Sequence, residues 1–278
     1  MSNHADAHIH LFKGGYQESF ASREGVQIDE VACYQTLMAD HQVAAALVVG
    51  YAGASWCNDN NAHLADVVKQ HQWVHPLAFI DLTQSLSLEQ LNHLRQQGFV
   101  GLSIYVFDHE QEQALQTVPA ECWQWLIDHH WLVSVNSKGQ LWNAWQAVLD
   151  KFGDLRVLIS HLGLPPRVDH ASADMPGQIA EVTALGAYPG VCVKLSGFYA
   201  VTEPGHDYPH VAAWPYVESL NNAFSVNRLL WASDFSPCLD WLTFPQTIDL
   251  FAKMPFFSET DRQQILGNNL LALLDDIS

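Results

Sequence analysis

Residues 5–12 read Ala-Asp-Ala-His-Ile-His-Leu-Phe, a short apolar run in which every second position is polar. Successive side chains of a β-strand point to opposite faces, so Asp6, His8 and His10 are predicted to share one face while the intervening apolar side chains are buried on the other. Two imidazoles on one face form a pair of metal ligands or proton carriers. The alternative, that both are core histidines satisfied by their neighbours, stays open from this motif alone.

Two later segments also read as hydrophobic strands that end in a polar side chain. Residues 157–165 read Val-Leu-Ile-Ser-His-Leu-Gly-Leu-Pro, and residues 229–237 read Leu-Leu-Trp-Ala-Ser-Asp-Phe-Ser-Pro. They place His161 and Asp234 at or near the ends of their strands. We therefore expect both side chains to meet the histidines of the first strand at one site.

Strand and helix patterns alternate along the whole chain. This alternation implies parallel pairing, and eight units in 278 residues suit an α/β fold of the closed (β/α)8 TIM-barrel type, in a single domain over residues 1–278. An open doubly wound sheet is disfavoured because no strand is followed by a glycine-rich phosphate loop. The predicted strands cover residues 5–12, 43–50, 74–81, 100–107, 131–136, 155–161, 190–196 and 228–233.

Functional side chains of such barrels lie at the C-terminal ends of the strands and in the loops that follow. A long loop over residues 13–28, which contains Tyr16 and Phe20, follows the first strand and is long enough to cover a site. The loop after the seventh strand carries His206 and His210, for which we favour a solvated loop over a role in a lid.

Composition limits the classes of partner. Lysine and arginine number 12 against 30 aspartates and glutamates, a formal net charge of −18, so neither nucleic acid nor an anionic membrane surface is expected as a partner. Five dispersed cysteines without C-x-x-C spacing indicate reduced thiols. No apolar run is long enough to span a membrane, and the N-terminus lacks a signal-peptide pattern. We expect a cytoplasmic protein with a small-molecule substrate, and the oligomeric state stays open.

Seven segments in order resemble the amidohydrolase superfamily, specifically the amidohydrolase-2 family and its branch of lactonases for 2-pyrone-4,6-dicarboxylate and sugar acids. The resemblance implies a barrel that hydrolyses a small lactone. The matching segments are residues 6–12, 59–64, 98–102, 160–165, 193–198, 230–235 and 265–269.

Two positions depart from the family pattern. Metal-binding members supply a histidine at the end of the fifth strand, where this chain has Asn136. The dicarboxylate lactonases place an arginine in the fourth strand where this chain has Ser103, so a bidentate clamp for a carboxylate is missing there. The resemblance leaves His8, His10 and Asp234 as candidate ligands of one divalent cation, zinc or manganese. We favour catalysis that does not require the metal.

Roles for the remaining residues follow from the barrel and the resemblance. Asp234 is predicted to be the general base, since an aspartate that ends an apolar strand is an odd choice for a core, although a helix N-cap is its alternative. His161 is predicted to assist catalysis together with the first-strand histidines. Burial of a charged lysine costs free energy, so Lys194 is predicted to have a partner. That partner is either a carbonyl or carboxylate of the substrate or a nearby aspartate, Asp6 or Asp234. Substrate contacts are predicted for Tyr16, Ser103, Asn136 and Arg167.

Two other functions compete with lactone hydrolysis. A metal-dependent decarboxylase of a small aromatic or semialdehyde acid is implied by relatives in the same branch, but it uses the fifth-strand histidine that Asn136 replaces. A catalytically silent barrel that binds a metabolite is disfavoured because the polar strand-end residues are all retained.

Overall fold

The computed structural model describes residues 4–18, 27–170, 172 and 175–277. Within these ranges the chain forms one sheet of eight strands, connected by helices. The strands are β1 (His4–Ile9), β2 (Val43–Val49), β3 (Val74–Ile80), β4 (Gly101–Val106), β5 (Leu132–Ser137), β6 (Arg156–Ile159), β7 (Val191–Leu195) and β8 (Leu229–Trp231). The helices are α1 (Glu30–His41), α2 (Asn60–Val68), α3 (Leu88–Gln96), α4 (His109–Thr117), α5 (Ala120–Asp128), α6 (Trp142–Leu149), α7 (Ala180–Ala184), α8 (Phe198–Val201), α9 (Trp214–Phe224), α10 (Phe244–Lys253), α11 (Glu259–Gln263) and α12 (Asn269–Asp275).

The sheet closes into a barrel. Its strands pair in chain order, and each successive pair is parallel. Just beyond β8, the amide of Asp234 donates to the carbonyl of His8 at 2.9 Å, and the amide of His10 donates to the carbonyl of Phe235 at 2.5 Å. These bonds join the last strand to the first, so the prediction of a single-domain (β/α)8 barrel is confirmed.

Apolar side chains fill much of the interior of the barrel. Leu270 of α12 is buried among them, and the neighbouring Asn269 donates to the carbonyl of Leu229, the first residue of β8. The C-terminal helix therefore covers the end of the barrel where β8 begins, while a second and larger cluster packs the strands against the surrounding helices. The strand residues of the interior cluster are Ala5, Ala7, Leu47, Val49, Leu77, Leu132, Leu158, Cys192 and Leu230.

A bulge in β1 overturns one prediction. The register with β2 shifts between Asp6 and Ile9, so β1 holds one residue more than its partner over this stretch. Asp6 consequently turns away from the barrel axis. It accepts hydrogen bonds from the hydroxyl of Tyr34 on α1 and from the amide of Ser233, each at 2.9 Å. The expectation that Asp6 and His8 share one face was therefore wrong, because strict alternation fails across a bulge.

Two helices, α4 and α5, follow each other between β4 and β5 with a short break between them. Thr117 ends α4 and Ala120 begins α5, with Val118 and Pro119 between them in extended conformations. The proline ring restricts the residue before it to this region, which stops the first helix. Phe20, in the loop after β1, lies outside the described residues.

Among the residues described, none of the helices has both the length and the apolar character that crossing a membrane requires.

Candidate active site

The C-terminal ends of β1, β6 and β8 bring four predicted residues together. The Nε2 atoms of His8 and His10 lie 3.7 and 3.9 Å from Oδ1 of Asp234, and Nδ1 of His161 lies 3.9 Å from Oδ2 of the same carboxylate. Asp234 has a φ of +62°, a left-handed conformation that aspartate and asparagine tolerate better than most residues. Gly163, with a φ of +84°, supports the turn that follows His161.

A chain of hydrogen bonds fixes which ring nitrogens carry protons. Nδ1 of His10 lies 2.7 Å from the carbonyl of Val49, which can only accept, so this nitrogen donates and Nε2 of a neutral His10 is the acceptor. Nε2 of His8 lies 3.2 Å from that acceptor and must therefore donate to it. Nδ1 of His8 is left as an acceptor, and it faces Nζ of Lys194 at 3.4 Å.

Lys194 is buried beneath these histidines, inside the barrel. Its Nζ donates to the hydroxyl of Ser134 at 2.6 Å as well as facing His8. Burial lowers the pKa of Lys194 to about 7, although the negative charges of Asp234 and Asp6 favour its protonated form. The predicted role in neutralising nearby aspartates fits this placement, since Lys194 is not among the residues that line the cavity above.

Burial favours the neutral form of each ionisable group at the site. It lowers the pKa of His8 well below its ordinary value, that of His10 to about 4, and that of His161 to about 3, with Lys194 adding to the effect on His8 and His161. Burial also raises the pKa of Asp234 to about 6, although His10 and the hydroxyl of Tyr199 favour its ionised form. The site therefore combines neutral imidazoles with a carboxylate that exchanges protons near neutral pH.

Above the four residues lies a cavity of about 470 Å³. Seven of its lining residues are aromatic, namely Phe12, Tyr16, Tyr51, Phe79, Tyr105, Phe107 and Tyr199. Its polar lining comprises His10, Glu18, Gln111, Asn136, His161 and Asp234. The volume and the mixture of aromatic walls with a few convergent polar groups are typical of a pocket for a small molecule.

The four residues predicted to contact the substrate differ in placement. Tyr16 and Asn136 line the cavity. Ser103 is buried in the barrel on β4 and is not among the lining residues. Arg167 donates instead to the carbonyl of Ala200 and to the carboxylate of Glu203, outside the cavity. The prediction of substrate contact thus gains no support for Ser103 and Arg167.

Glu30 is a site residue that sequence reasoning missed. Its buried carboxylate accepts hydrogen bonds from the amides of Phe12 and Tyr16, at 2.6 and 3.0 Å, and from the hydroxyl of Ser236 at 2.5 Å. It thereby ties the loop after β1 to the loop after β8, beside Asp234. In the sequence it is indistinguishable from the acidic residues that commonly begin a helix.

Tyr199, in α8 just after β7, bonds directly to the Asp234 carboxylate. Its hydroxyl donates to Oδ2 of Asp234 at 2.5 Å, and its ring stacks on Trp241 at a centroid distance of 6.0 Å. Ser196, which the sequence did not single out, lies 2.9 Å from Nδ1 of His161. Both residues orient groups of the site, and they follow β7 by only a few positions, where the barrel fold concentrates functional side chains.

The donor atoms fit one divalent ion in position. Nε2 of His8, Nε2 of His10 and Oδ1 of Asp234 are separated by 3.2, 3.7 and 3.9 Å, near the roughly 3.3 Å that neighbouring ligands of a tetrahedral zinc require. His161 completes a second triad with His8 and Asp234, whose ligand atoms lie within 4.8 Å of one another. His10 also has the outer hydrogen bond to a carbonyl that metal-binding histidines usually make. His8 does not, because Lys194 faces its outer nitrogen.

Comparison with known proteins identifies the family. The family model described as Amidohydrolase matches residues 5–275, so the chain belongs to the amidohydrolase family. An L-fucono-1,5-lactonase from Burkholderia ambifaria is 33% identical over 85 residues, which is 31% of this chain and 28% of that relative. The match thus spans little more than a quarter of the relative's length.

Solved structures share the fold at low sequence identity. An amidohydrolase from Burkholderia multivorans, solved once with bound HEPES and once with bound zinc, superposes with TM-scores of 0.81 and 0.75 at 16% identity, over 98% of this chain and 99% of that one. A probable 2-pyrone-4,6-dicarboxylic acid hydrolase from Acinetobacter baumannii, with citric acid bound, has a TM-score of 0.71 at 17% identity over 98% of this chain and 99% of its own.

Proposed function

We propose that this protein hydrolyses a small lactone, with Asp234 as the general base. The observation that carries the proposal is the position of the Asp234 carboxylate at the floor of an aromatic cavity, among three histidines that burial keeps neutral. Membership of the amidohydrolase family supports hydrolysis, and the partial match to an L-fucono-1,5-lactonase supports a lactone as the substrate.

In the first step, Asp234 takes a proton from a water molecule as its oxygen bonds to the lactone carbonyl carbon. A carboxylate with a pKa of about 6 is matched to this task, because it is ionised at neutral pH and still accepts a proton readily. Tyr199 orients the carboxylate through its hydrogen bond to Oδ2, which leaves Oδ1 on the side of His8 and His10.

The tetrahedral intermediate carries its negative charge on the former carbonyl oxygen. His161 lines the cavity, and Ser196 holds its Nδ1, so we assign Nε2 of His161 as the donor to that oxygen. When the intermediate collapses, the bond between the carbonyl carbon and the ring oxygen breaks. Asp234 then returns its proton to the departing alkoxide, and the product is an open-chain hydroxy acid.

If a zinc or manganese ion is bound, His8, His10 and Asp234 would hold it, and it would supply Lewis-acid polarisation of the carbonyl and a more acidic water. We propose that ring opening does not require such an ion. Two features support this view. Lys194 faces Nδ1 of His8 as a hydrogen-bond donor and keeps the proton of that ring on Nε2, the atom that would face the ion. Asn136 stands where metal-binding members of the family have a further histidine.

The variant Asp234→Asn tests the proposal. Asparagine keeps the size of the side chain and tolerates the left-handed backbone, but it cannot accept the proton, so kcat is expected to fall by about two to four powers of ten. Purified wild-type and variant protein would be compared on a panel of sugar lactones and muconolactones by acid release. Wild-type kcat/KM should also decline as the pH falls through about 6, because Asp234 becomes protonated.

Asp240→Asn is the matched control, since Asp240 belongs to the same segment after β8 but does not line the cavity. It should retain wild-type turnover. Near wild-type turnover by Asp234→Asn would rule that residue out as the base. The decarboxylase alternative gains no comparable support, because the fifth-strand position is the amide Asn136 and not a histidine.

A further inference from the structure

Among the described residues, the cavity is lined by two carboxylates and by no lysine or arginine. The carboxylates are Asp234 at the floor and Glu18 at the mouth. Lys194 lies below the floor, and Lys138, whose ammonium is 5.7 Å from the ring centroid of Phe107, is not a lining residue. A carboxylate or phosphate on a substrate would therefore meet like charge, and no lysine or arginine of the described residues lines the cavity to pair with it.

Glu18 is held in place by an aromatic cluster at the mouth. Its Oε1 accepts a hydrogen bond from Nε1 of Trp56 at 3.2 Å. The Trp56 ring packs edge-on against Phe12 and Tyr16, at centroid distances of 4.7 and 5.7 Å. This bond restricts the exposed Glu18 side chain, which lowers the entropy cost of accepting hydrogen bonds from the substrate.

The charge of Glu18 acts on two tyrosines of the cavity, Tyr16 and Tyr51. Burial, followed by the charges of Glu18 and Asp234, raises the pKa of Tyr16 to about 12. Burial and then Glu18 also raise the pKa of Tyr51. At neutral pH both phenols are protonated and can donate hydrogen bonds to hydroxyl oxygens of a substrate.

We propose that the substrate is an uncharged, polyhydroxylated lactone and that Glu18 is a specificity residue, which binds the substrate's hydroxyl groups and rejects lactones that carry a carboxylate. This inference rests on the proposed lactone hydrolysis and adds the substrate class. Aromatic walls pack against the C–H faces of such a ring, while Glu18, Gln111 and Asn136 provide polar contacts. The proposed substrate class differs from the dicarboxylated lactones that name some hydrolases of similar fold.

A matched pair of substrates tests the proposal. The neutral member is a hexono-1,5-lactone, and the charged member has a carboxylate in place of the terminal hydroxymethyl group. Wild-type kcat/KM is expected to be at least about tenfold higher for the neutral lactone, since like charges a few ångström apart repel strongly at the edge of a protein. The variant Glu18→Gln keeps the shape of the side chain and the acceptor for Trp56. In this variant kcat/KM for the charged lactone should rise, so that the ratio of kcat/KM between the two lactones falls by about tenfold.

The dependence of this preference on ionic strength is a second measurement. It distinguishes an effect of the Glu18 charge from a purely structural effect of the side chain. Added salt should reduce the ratio of kcat/KM between the neutral and the charged lactone in the wild type, because salt screens the charge of Glu18. The same ratio in Glu18→Gln should stay nearly constant. Glu203→Gln is the control, because it removes a carboxylate from a loop at the same end of the barrel but outside the cavity. It should keep the wild-type preference.

The outcomes distinguish this inference from the function on which it rests. If wild-type protein opens lactones but Glu18→Gln leaves the preference unchanged, or if wild-type protein prefers the charged lactone, the role of Glu18 is refuted while lactone hydrolysis stands. If neither lactone nor any other member of the lactone panel is opened, the proposed function itself fails.

Discussion

At the floor of the cavity, the position of one proton decides what His8 can do. With Lys194 donating to Nδ1, the proton of the neutral ring lies on Nε2 and points to His10. In that form His8 is a hydrogen-bond donor and has no lone pair for a metal. The ammonium also compensates the nearby carboxylates, Asp234 and Asp6, which both favour its charged form. Lys194 thus disfavours the binding of a metal ion by His8 and stabilises the ionised carboxylate of Asp234, the proposed general base.

This arrangement predicts how the protein responds to zinc. Lys194→Met removes the positive charge and releases Nδ1 of His8 to carry the proton, so zinc affinity should rise by at least about tenfold, measured by competition with a chromophoric chelator. Lys138→Met, at the surface, should bind zinc as the wild type does. Wild-type protein treated with a chelator should keep its lactonase rate.

Two results would contradict these expectations. An unchanged zinc affinity in Lys194→Met would show that the lysine does not restrain the site. Complete loss of wild-type activity on chelation, restored by stoichiometric zinc, would show that the reaction requires the ion.

At the scale of elements, the loop after β7 is more closely packed than its sequence suggests. His210 at its end is fully buried, with Nδ1 2.7 Å from the hydroxyl of Thr202 and its ring stacked on Phe198 at 5.9 Å. The expectation of a solvated loop was therefore wrong for His210, although His206 in the same loop is exposed. The loop folds back on α8 and so holds Tyr199 near Asp234.

Burial of His210 predicts a pH-dependent stability. Burial lowers its pKa from 6.5 to about 4, so between these values the unfolded chain binds a proton that the folded chain does not. Stability is therefore lost as the pH falls below about 6.5. Between pH 7 and pH 5 the wild type should lose about 2 kcal/mol more than His210→Asn, a variant that suits the left-handed backbone and does not titrate.

Urea denaturation at the two pH values measures this difference. His206→Asn, which changes an exposed histidine of the same loop, should follow the wild-type profile. Equal losses in His210→Asn and the wild type would mean that His210 is protonated equally in the folded and unfolded states.

At the scale of the whole molecule, one end of the barrel contributes to stability and the other carries the candidate active site. The end where the strands begin is closed by α12 through the apolar side chain of Leu270 and the amide of Asn269, which bonds the carbonyls of Val226 and Leu229. The opposite end carries the cavity and its polar residues. A barrel closed in this way supports the floor of the site without contributing to its chemistry.

Leu270→Ala is thus expected to affect stability and spare catalysis. Truncating a fully buried leucine should reduce the free energy of unfolding by about 2–5 kcal/mol, with KM and kcat unchanged under conditions where the variant is folded. Leu239→Ala, at a leucine that is 46% exposed, should stay within about 0.5 kcal/mol of the wild type. A loss of activity at full folding in Leu270→Ala would show that the two ends are coupled.

The sequence by itself determined the barrel and the identity of the central residues. Apolar periodicity is a local property, and alternation of strands with helices permits few topologies, so eight parallel units could be predicted. Because that fold places the ends of its strands on one side, the meeting of His8, His161 and Asp234 could also be predicted. Roles for these residues remain predictions that the experiments above test.

Only the tertiary structure decided how those residues are arranged. The bulge in β1 that turns Asp6 outward arises from its register with β2, and the proton of His8 is placed by Val49, through His10, and by Lys194. Glu30 became part of the site by bonding two loops that are distant in the chain. Such details depend on partners brought together by the closed sheet, and neither side-chain spacing nor composition encodes which partners those will be.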